Sequence, residues 1–237
     1  MSEEEVNAAG SKVDEEESKP AVIELNNIEM PDDRGGFVFR GLSIKIEAGC
    51  SAIITGAAGS GKTTLVDLLL GLKGASSGSV ELFGDMIGKR RGRVIRRVRQ
   101  KIGGVGGHFR LVPSLTVAEN ITLPLVLAGE RRKVQKERLL KALSEFSLLK
   151  QAGEYPQSLT RVESTLAQFA RASIAHQPLL IIDEPAALLD ARTWQRVHEY
   201  LVKVILSGRS LLILTSETLQ PELPKTDQYN LSGGVLT

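Results

Sequence analysis

The octet Gly56-Ala57-Ala58-Gly59-Ser60-Gly61-Lys62-Thr63, followed by Thr64, fits the pattern G-x-x-x-x-G-K-[ST]. Glycines at this density let successive backbone N–H groups curl around phosphate oxygens, forming an anion nest at a helix N-terminus. Lys62 then reaches the β- and γ-phosphates of a nucleoside triphosphate, and the Thr63 hydroxyl can ligate Mg²⁺. Leu179-Leu180-Ile181-Ile182-Asp183-Glu184-Pro185 supplies the complementary chemistry. An apolar run ending in Asp-Glu sets a carboxylate at the C-terminal end of a buried strand, where α/β sheets bind ligands. Asp183 suits the Mg²⁺ shell, usually through water, and Glu184 suits polarising an attacking water. Asp183 lies 121 residues after Lys62, and the run reads as the second half of one triphosphate site. His108, alone in its segment, reads as an ordinary loop histidine.

Such groups need strands and helices to hold them, and the flanking patterns supply both. Residues 51–55 form a mostly apolar strand entering the cradle, and residues 64–70 a buried helix leaving it. Leu42-Ser43-Ile44-Lys45-Ile46 and Ser79-Val80-Glu81-Leu82-Phe83 alternate with period two, as half-exposed strands do. Residues 179–182 and 211–215 are short apolar runs of buried strands. Residues 21–25 suit an edge strand, and residues 30–36, with one Pro, two Asp and two Gly, a loop. Residues 130–149 read as a pair of amphipathic helical turns, 164–175 as a helix stopped by Pro178, and 193–206 as another helix. Strands alternating with helices predict an α/β fold on a largely parallel sheet, without internal repeats.

Composition agrees. A chain of 237 residues, 42% hydrophobic and 24% charged, can bury a core without staples. A single cysteine, Cys50, excludes an intramolecular disulfide framework. No apolar run approaches the roughly 20 residues that cross a bilayer, and the acidic N-terminal segment lacks the basic-then-apolar pattern of a secretory signal. The net charge of +2 is unevenly spread: residues 1–20 hold seven acids against Lys12 and Lys19, leaving +7 for the remainder. With almost nothing to bury, residues 1–20 predict a disordered acidic tail, and the folded domain spans 21–237.

At its two phosphate motifs the chain resembles the ATP-binding subunit of ABC transporters, over about residues 21–237. Ser77-Gly78-Ser79-Val80 followed by Gly84-Asp85 agrees, as does Leu189-Asp190 at the D-loop position. Val112-Pro113-Ser114-Leu115-Thr116-Val117-Ala118-Glu119-Asn120-Ile121, with Pro124-Leu125, is similar to the subgroup serving lipoprotein release, macrolide export and bacterial cell division. The resemblance implies a P-loop NTPase with a RecA-like parallel-sheet core, an antiparallel β subdomain and an inserted helical subdomain over about 108–175. It implies ATP and Mg²⁺ as ligands, held by residues 56–64 with Thr63 and Asp183 on the metal. Lys62 and Glu184 would be the catalytic groups. It also implies two such domains clamping two ATP molecules head to tail, each site taking the cradle from one subunit and the signature loop from the other. The pair would be a homodimer or a heterodimer with another ATP-binding subunit. It would sit on an integral membrane permease-type subunit at the inner face of the cell membrane.

Several positions depart from that family's pattern. Leu159-Thr160-Arg161-Val162-Glu163-Ser164 stands 24 residues before Asp183, where the signature Leu-Ser-Gly-Gly-Glu-Gln belongs. Thr160 keeps a hydroxyl, but Arg161 and Val162 replace both glycines, and their Cβ atoms hinder close approach of backbone N–H groups to a γ-phosphate. A literal Leu231-Ser232-Gly233-Gly234 opens no helix and reads as a hairpin turn. The Q-loop glutamine falls within Gly103-Gly104-Val105-Gly106-Gly107-His108, with Gly107 at its place by spacing. A glycine run offers no side-chain carbonyl ligand and predicts added flexibility. Ser216, followed by Glu217, replaces the switch histidine, and a serine cannot carry a proton or charge as imidazole does. The aromatic residue that stacks on adenine is missing from residues 30–33, leaving Phe37 as a substitute if the loop folds back.

Phosphate and Mg²⁺ positioning are thus intact, whereas Gly107, Thr160, Arg161, Val162 and Ser216 alter the parts that time cleavage. Losing one electrostatic stabiliser typically costs about 10²–10³ in rate, and joint losses need not multiply. The expectation is an ATP-binding subunit whose hydrolysis is slow or depends on a partner. One alternative is a fully active transport ATPase in which Ser216, Glu217 and Thr160 compensate. Another is a P-loop kinase or GTPase unrelated to transport. Residues 89–101 hold eight basic side chains in thirteen without interleaved aromatics. They read as a solvated helix beside a membrane partner rather than a nucleic-acid or anionic-lipid surface.

Overall fold

The computed structural model of the chain describes residues 19–32, 36–87, 92–185, 189–216 and 222–237. Most of the acidic tail, residues 89–91 of the basic run, and Glu217 lie outside them. Six strands form a sheet in the order β10-β9-β3-β8-β7-β6: Val235–Leu236, Thr226–Ser232, Ser51–Thr55, Ser210–Thr215, Leu179–Asp183 and Ile102–Val105. All neighbours are parallel except the β9–β10 hairpin. The central strands read as unbroken apolar runs because both faces are covered. Ile53, Leu180, Ile182, Leu211 and Ile213 face one core, and Ile54, Leu179, Ile181, Leu212 and Leu214 face the other.

The first core is covered by helices α3 (Val117–Leu127), α4 (Arg132–Glu145), α5 (Arg161–Ser173) and α6 (Ala191–Leu206). The second is covered by α1 (Lys62–Leu69), Val98 of α2 (Arg93–Gln100), and a four-stranded antiparallel sheet in the order β2-β1-β4-β5. These four strands are Phe37–Glu47, Ala21–Pro31, Ser77–Leu82 and Asp85–Met86. Strand β1 is longer than residues 21–25 and is not an edge: it pairs with β2 on one side and β4 on the other. Exposed Asn26 and Asn27, the latter at φ +48°, interrupt its alternation and its register. Residues 132–145 are one continuous helix rather than two short turns.

The glycine run is packed, not slack. Gly103 and Gly104 lie in β6, where a Cβ on the first would collide with the Ala172 carbonyl and on the second with the Phe109 ring. Helix α5 therefore lies against bare backbone. Its start is fixed by a capping box: Glu163 N–H donates to Thr160 Oγ1 (3.2 Å), and Thr160 N–H donates to Glu163 Oε2 (2.8 Å). Half-exposed Val162 packs against the first core, whereas Arg161 is exposed. In α2, the side chains of the basic run are partly spent within the chain. Arg97 pairs with Asp85 at 2.5 Å, and Arg99 Nε donates to the Leu70 carbonyl at 2.8 Å.

Arg171 on α5 donates to the carbonyls of Phe109 and Arg110, tying the segment after β6 to the helix. Burial lowers its pKa to about 10, so it remains a cation at neutral pH. Bonds from a charged donor contribute about 1.5–3 kcal/mol each. Arg171→Ala is expected to destabilise the protein by about 2–4 kcal/mol in urea unfolding; an unchanged midpoint would disprove this anchoring role.

Candidate phosphate-binding site

The cradle forms where β3 hands over to α1. Gly56 N–H donates to the Thr215 carbonyl (3.1 Å), and Ser60 N–H donates to the Ala57 carbonyl (3.1 Å). Gly59 and Gly61 adopt φ +81° and +106°, a left-handed backbone that side chains resist. Gly56 has a different reason: a Cβ there would lie 2.8 Å from the Leu231 carbonyl. Ala57, Ala58 and Thr63 are exposed, Thr64 is half-buried, and the Ser60 hydroxyl is buried without a hydrogen-bond partner. Lys62 begins α1 and is only 6% exposed. Its Nζ donates to the carbonyls of Gly56 (2.6 Å) and Ala57 (3.1 Å) and pairs with Glu184 Oε1 at 3.3 Å. The lysine and the second motif therefore converge.

Asp183 ends β7 and is 5% exposed. Its Oδ1 has no hydrogen-bond partner. Burial, with Glu184 beside it and Asp67 contributing, raises its pKa against the opposing pull of Lys62 and His108. Glu184 follows at φ +55°, with Oε2 accepting from both Ser216 N–H (2.9 Å) and Ser216 Oγ (3.0 Å). The serine at the switch position thus holds the carboxylate assigned to water activation.

These residues fit a divalent cation. Asp183 Oδ1 is a buried carboxylate oxygen with an open acceptor site, and exposed Thr63 follows Lys62 in the first turn of α1. One or two protein oxygens, with water and phosphate completing the shell, is how Mg²⁺ is usually held.

A buried carboxylate whose pKa burial raises also costs stability when it is ionised. Asp183→Asn, studied without nucleotide, is expected to stabilise the fold by about 1–3 kcal/mol at neutral pH. Because the folded pKa is raised above 3.8, the native state loses stability as pH rises through it. The gain from asparagine should therefore shrink as pH falls through that raised pKa. Thermal melts across pH check both, and a variant less stable than wild type at pH 7 would refute the reading.

Gly107 follows β6 directly, at φ +43°, where a Cβ would strike Asp183 Oδ2. Gly106, at φ +80°, is closed off by the Asp183 carbonyl, and its N–H donates to Gln168 Oε1 on α5 (2.8 Å). His108 is not an idle loop histidine: its Nε2 lies 2.7 Å from Asp67 Oδ1, while Lys73 Nζ pairs with Asp67 Oδ2 at 3.2 Å. Asp67 and Gln168 escaped the motif reading, having no signature spacing. Only their places on the two helices flanking the motifs could have pointed to them.

Residues 39–187 match the description "ABC transporter". The chain belongs to the ABC transporter family. It is 31% identical over 196 residues to the methionine import ATP-binding protein MetN of Protochlamydia amoebophila, covering 82% of this chain but 58% of that protein's length. The cell division ATP-binding protein FtsE of Streptococcus pneumoniae is 28% identical over 195 residues, 82% of this chain and 85% of FtsE. The latter agrees with the subgroup resemblance. The dimeric structure of MJ0796, a bacterial ABC transporter cassette, aligns over 90% of this chain and 96% of its own, with TM-score 0.82 and 24% identity. The architecture is the ABC form of the P-loop NTPase fold.

Other ABC-family positions follow from the same geometry. Thr160, Arg161 and Val162 sit at the start of α5, with Thr160 committed to its capping box. Of Leu231-Ser232-Gly233-Gly234, the first two residues end β9 and the two glycines form the β9–β10 turn, where the Gly234 carbonyl accepts from Arg40 N–H at 2.9 Å. Phe37 opens β2 and, 47% exposed, lines a cleft of about 510 Å³ with Asp32, Arg40, Gly59, Ser60 and Gly234. The Arg40 guanidinium stands 5.4 Å from the centre of its ring. An aromatic face and a guanidinium beside the phosphate loop are suited to stacking a nucleobase. Asp190 caps α6 by accepting from Thr193 N–H (2.9 Å).

Proposed function

We propose that this chain is the ATP-binding subunit of an ABC-type membrane complex, binding Mg-ATP at an interface between two such subunits. The observation that carries the reading is the convergence of Lys62, Glu184 and the open carboxylate oxygen of Asp183 at the end of one parallel sheet. Residues 56–61 and Lys62 bind the phosphates, Phe37 and Arg40 flank the base, and Asp183 with Thr63 hold Mg²⁺. The metal, when bound, neutralises charge between the β- and γ-phosphates. Glu184 accepts a proton from an attacking water, provided Lys62 turns from it to phosphate.

Hydrolysis by this chain with itself is slow. The start of α5 would face the partner's γ-phosphate, and there Arg161 and Val162 carry side chains where the family pattern has glycines. Gly107 lacks a ligand side chain. A heterodimer with a subunit bearing an intact signature would complete this chain's cradle. Exposed Val126 and Leu127 at the end of α3 would offer apolar surface to an integral membrane permease-type subunit, which supports a peripheral position at the inner face of the cell membrane.

A second reading, full transport ATPase activity, is favoured by one contact: Ser216 holds Glu184 as a positioning group should. Titration with ATP, with and without Mg²⁺, tests binding, and steady-state phosphate release tests turnover. Saturable Mg-dependent binding with negligible turnover is expected. Failure to bind ATP would overturn the proposal. Ordinary turnover abolished by Glu184→Gln would establish the second reading instead.

A further inference from the structure

At the opposite end of β7, about 13 Å along the strand from Asp183 at roughly 3.3 Å per residue, the surface carries a second cleft, lined by both apolar and charged side chains. Its volume is about 290 Å³, and it is bounded by α4, the end of α5 and the end of α6. Arg138, His176, Lys203 and Arg209 line it, against a single acid, Glu145. Lys141 adds a further cation at the rim, paired with Glu137 at 2.8 Å.

Two buried donors there are unspent. Tyr200 is 8% exposed, and its hydroxyl has no hydrogen-bond partner. Ser173 and Arg209 flank it without meeting hydrogen-bond geometry, and Ser173 Oγ donates instead to the Ala170 carbonyl. Arg209 Nη2 is likewise buried and unpaired, although Arg209 Nε donates to the Gln177 carbonyl at 2.7 Å. The Tyr200 ring is fixed edge-on against Phe146, 5.1 Å between centres, so its hydroxyl is held where it is. A buried donor left unmatched costs about 1–3 kcal/mol, and two of them face one cationic cleft.

We infer that this cleft binds a phosphate-type anion, its oxygens accepting from Tyr200 Oη, Arg209 Nη2, Arg138 and Lys203. The donor set decides the class. Guanidinium, ammonium and phenol groups offer several N–H and O–H bonds from different directions, matching an anion with three or four oxygens rather than a cation or a neutral sugar. Burial holds the Tyr200 hydroxyl above its usual pKa, keeping it a donor. Burial, with Arg138 and Arg209 beside it, lowers the pKa of His176, so arginine and lysine supply the charge at neutral pH. The volume accommodates a phosphate or pyrophosphate group, which could be free in solution or the head group of a lipid.

The experiment uses the full chain carrying Lys62→Ala, which weakens anion binding at the cradle. Inorganic pyrophosphate is titrated by calorimetry at physiological ionic strength. In parallel, phosphatidylcholine vesicles with and without phosphatidic acid are tested by co-sedimentation. Tyr200→Phe and Lys203→Glu are then added separately. Saturable pyrophosphate binding, weakened about five- to tenfold by Tyr200→Phe and more by Lys203→Glu, supports a soluble phosphate ligand. Binding only to vesicles containing phosphatidic acid, with the same two sensitivities, supports a lipid head group.

Tyr200→Phe should leave the melting temperature without anion unchanged or higher, since the hydroxyl makes no bond in the fold. A melting temperature lowered by Tyr200→Phe overturns the inference, because the hydroxyl is then structurally engaged. No binding in either arm, or binding indifferent to both substitutions, overturns it equally.

Discussion

Lys62→Ala is expected to reduce ATP affinity by about 2–5 kcal/mol, from roughly thirtyfold to several thousandfold. The argument rests on burial and on partners. At 6% exposure, the Nζ group is already desolvated and held by two carbonyls and Glu184. Exchanging that carboxylate for a phosphate needs little reorganisation, so the lysine meets the triphosphate preorganised. Alanine removes the cation and leaves Glu184 facing the incoming phosphates with like charge. A nucleotide titration of purified protein at fixed Mg²⁺ measures the loss. Retention of affinity within threefold, about 0.7 kcal/mol, would mean that the octet binds phosphate through its backbone alone.

Gly107→Gln, the substitution that writes the family's glutamine back into the chain, is expected to damage the protein rather than repair it. At φ +43° the residue occupies a backbone region that costs about 1–3 kcal/mol for an ordinary side chain, and its Cβ would meet the Asp183 carboxylate. Together these predict a loss of about 3 kcal/mol or more in urea unfolding and weaker Mg-dependent binding of ATP, with no gain in phosphate release. A variant as stable as wild type and faster in turnover would show that the segment after β6 re-forms around the new side chain. Gly106→Ala should behave similarly, because its Cβ would strike the Asp183 carbonyl.

The cradle was legible because its chemistry resides in backbone that only glycine permits, at fixed offsets from one lysine. Strands β7 and β8 were legible because burial on both faces produces unbroken apolar runs. Strand β6 was not, since Gly103 and Gly104 have no side chains to show a period. Their necessity comes from the Ala172 carbonyl and the Phe109 ring, which no local pattern reveals. Strand β1 looked shorter and more peripheral than it is because Asn26 and Asn27 break its alternation. Phe37 was noticed only as a replacement for a missing aromatic. Arg40, its companion, has no motif at all. Glu184 was named from its place after Asp183, but its bonds to Ser216 join residues 32 apart in the chain, and sequence spacing could not foresee them.

Strand β3, which delivers the chain into the cradle, pairs with β8 and β9, so Ser51 aligns with Leu211 and Thr226. Its hydrogen-bonding neighbours therefore emerge from the ribosome 160 residues or more behind it. Until then both its edges are bare, a condition that slows assembly and invites pairing with the wrong chain. A nascent chain halted before residue 210 would have the entire glycine-rich octet in hand and still no scaffold to shape it.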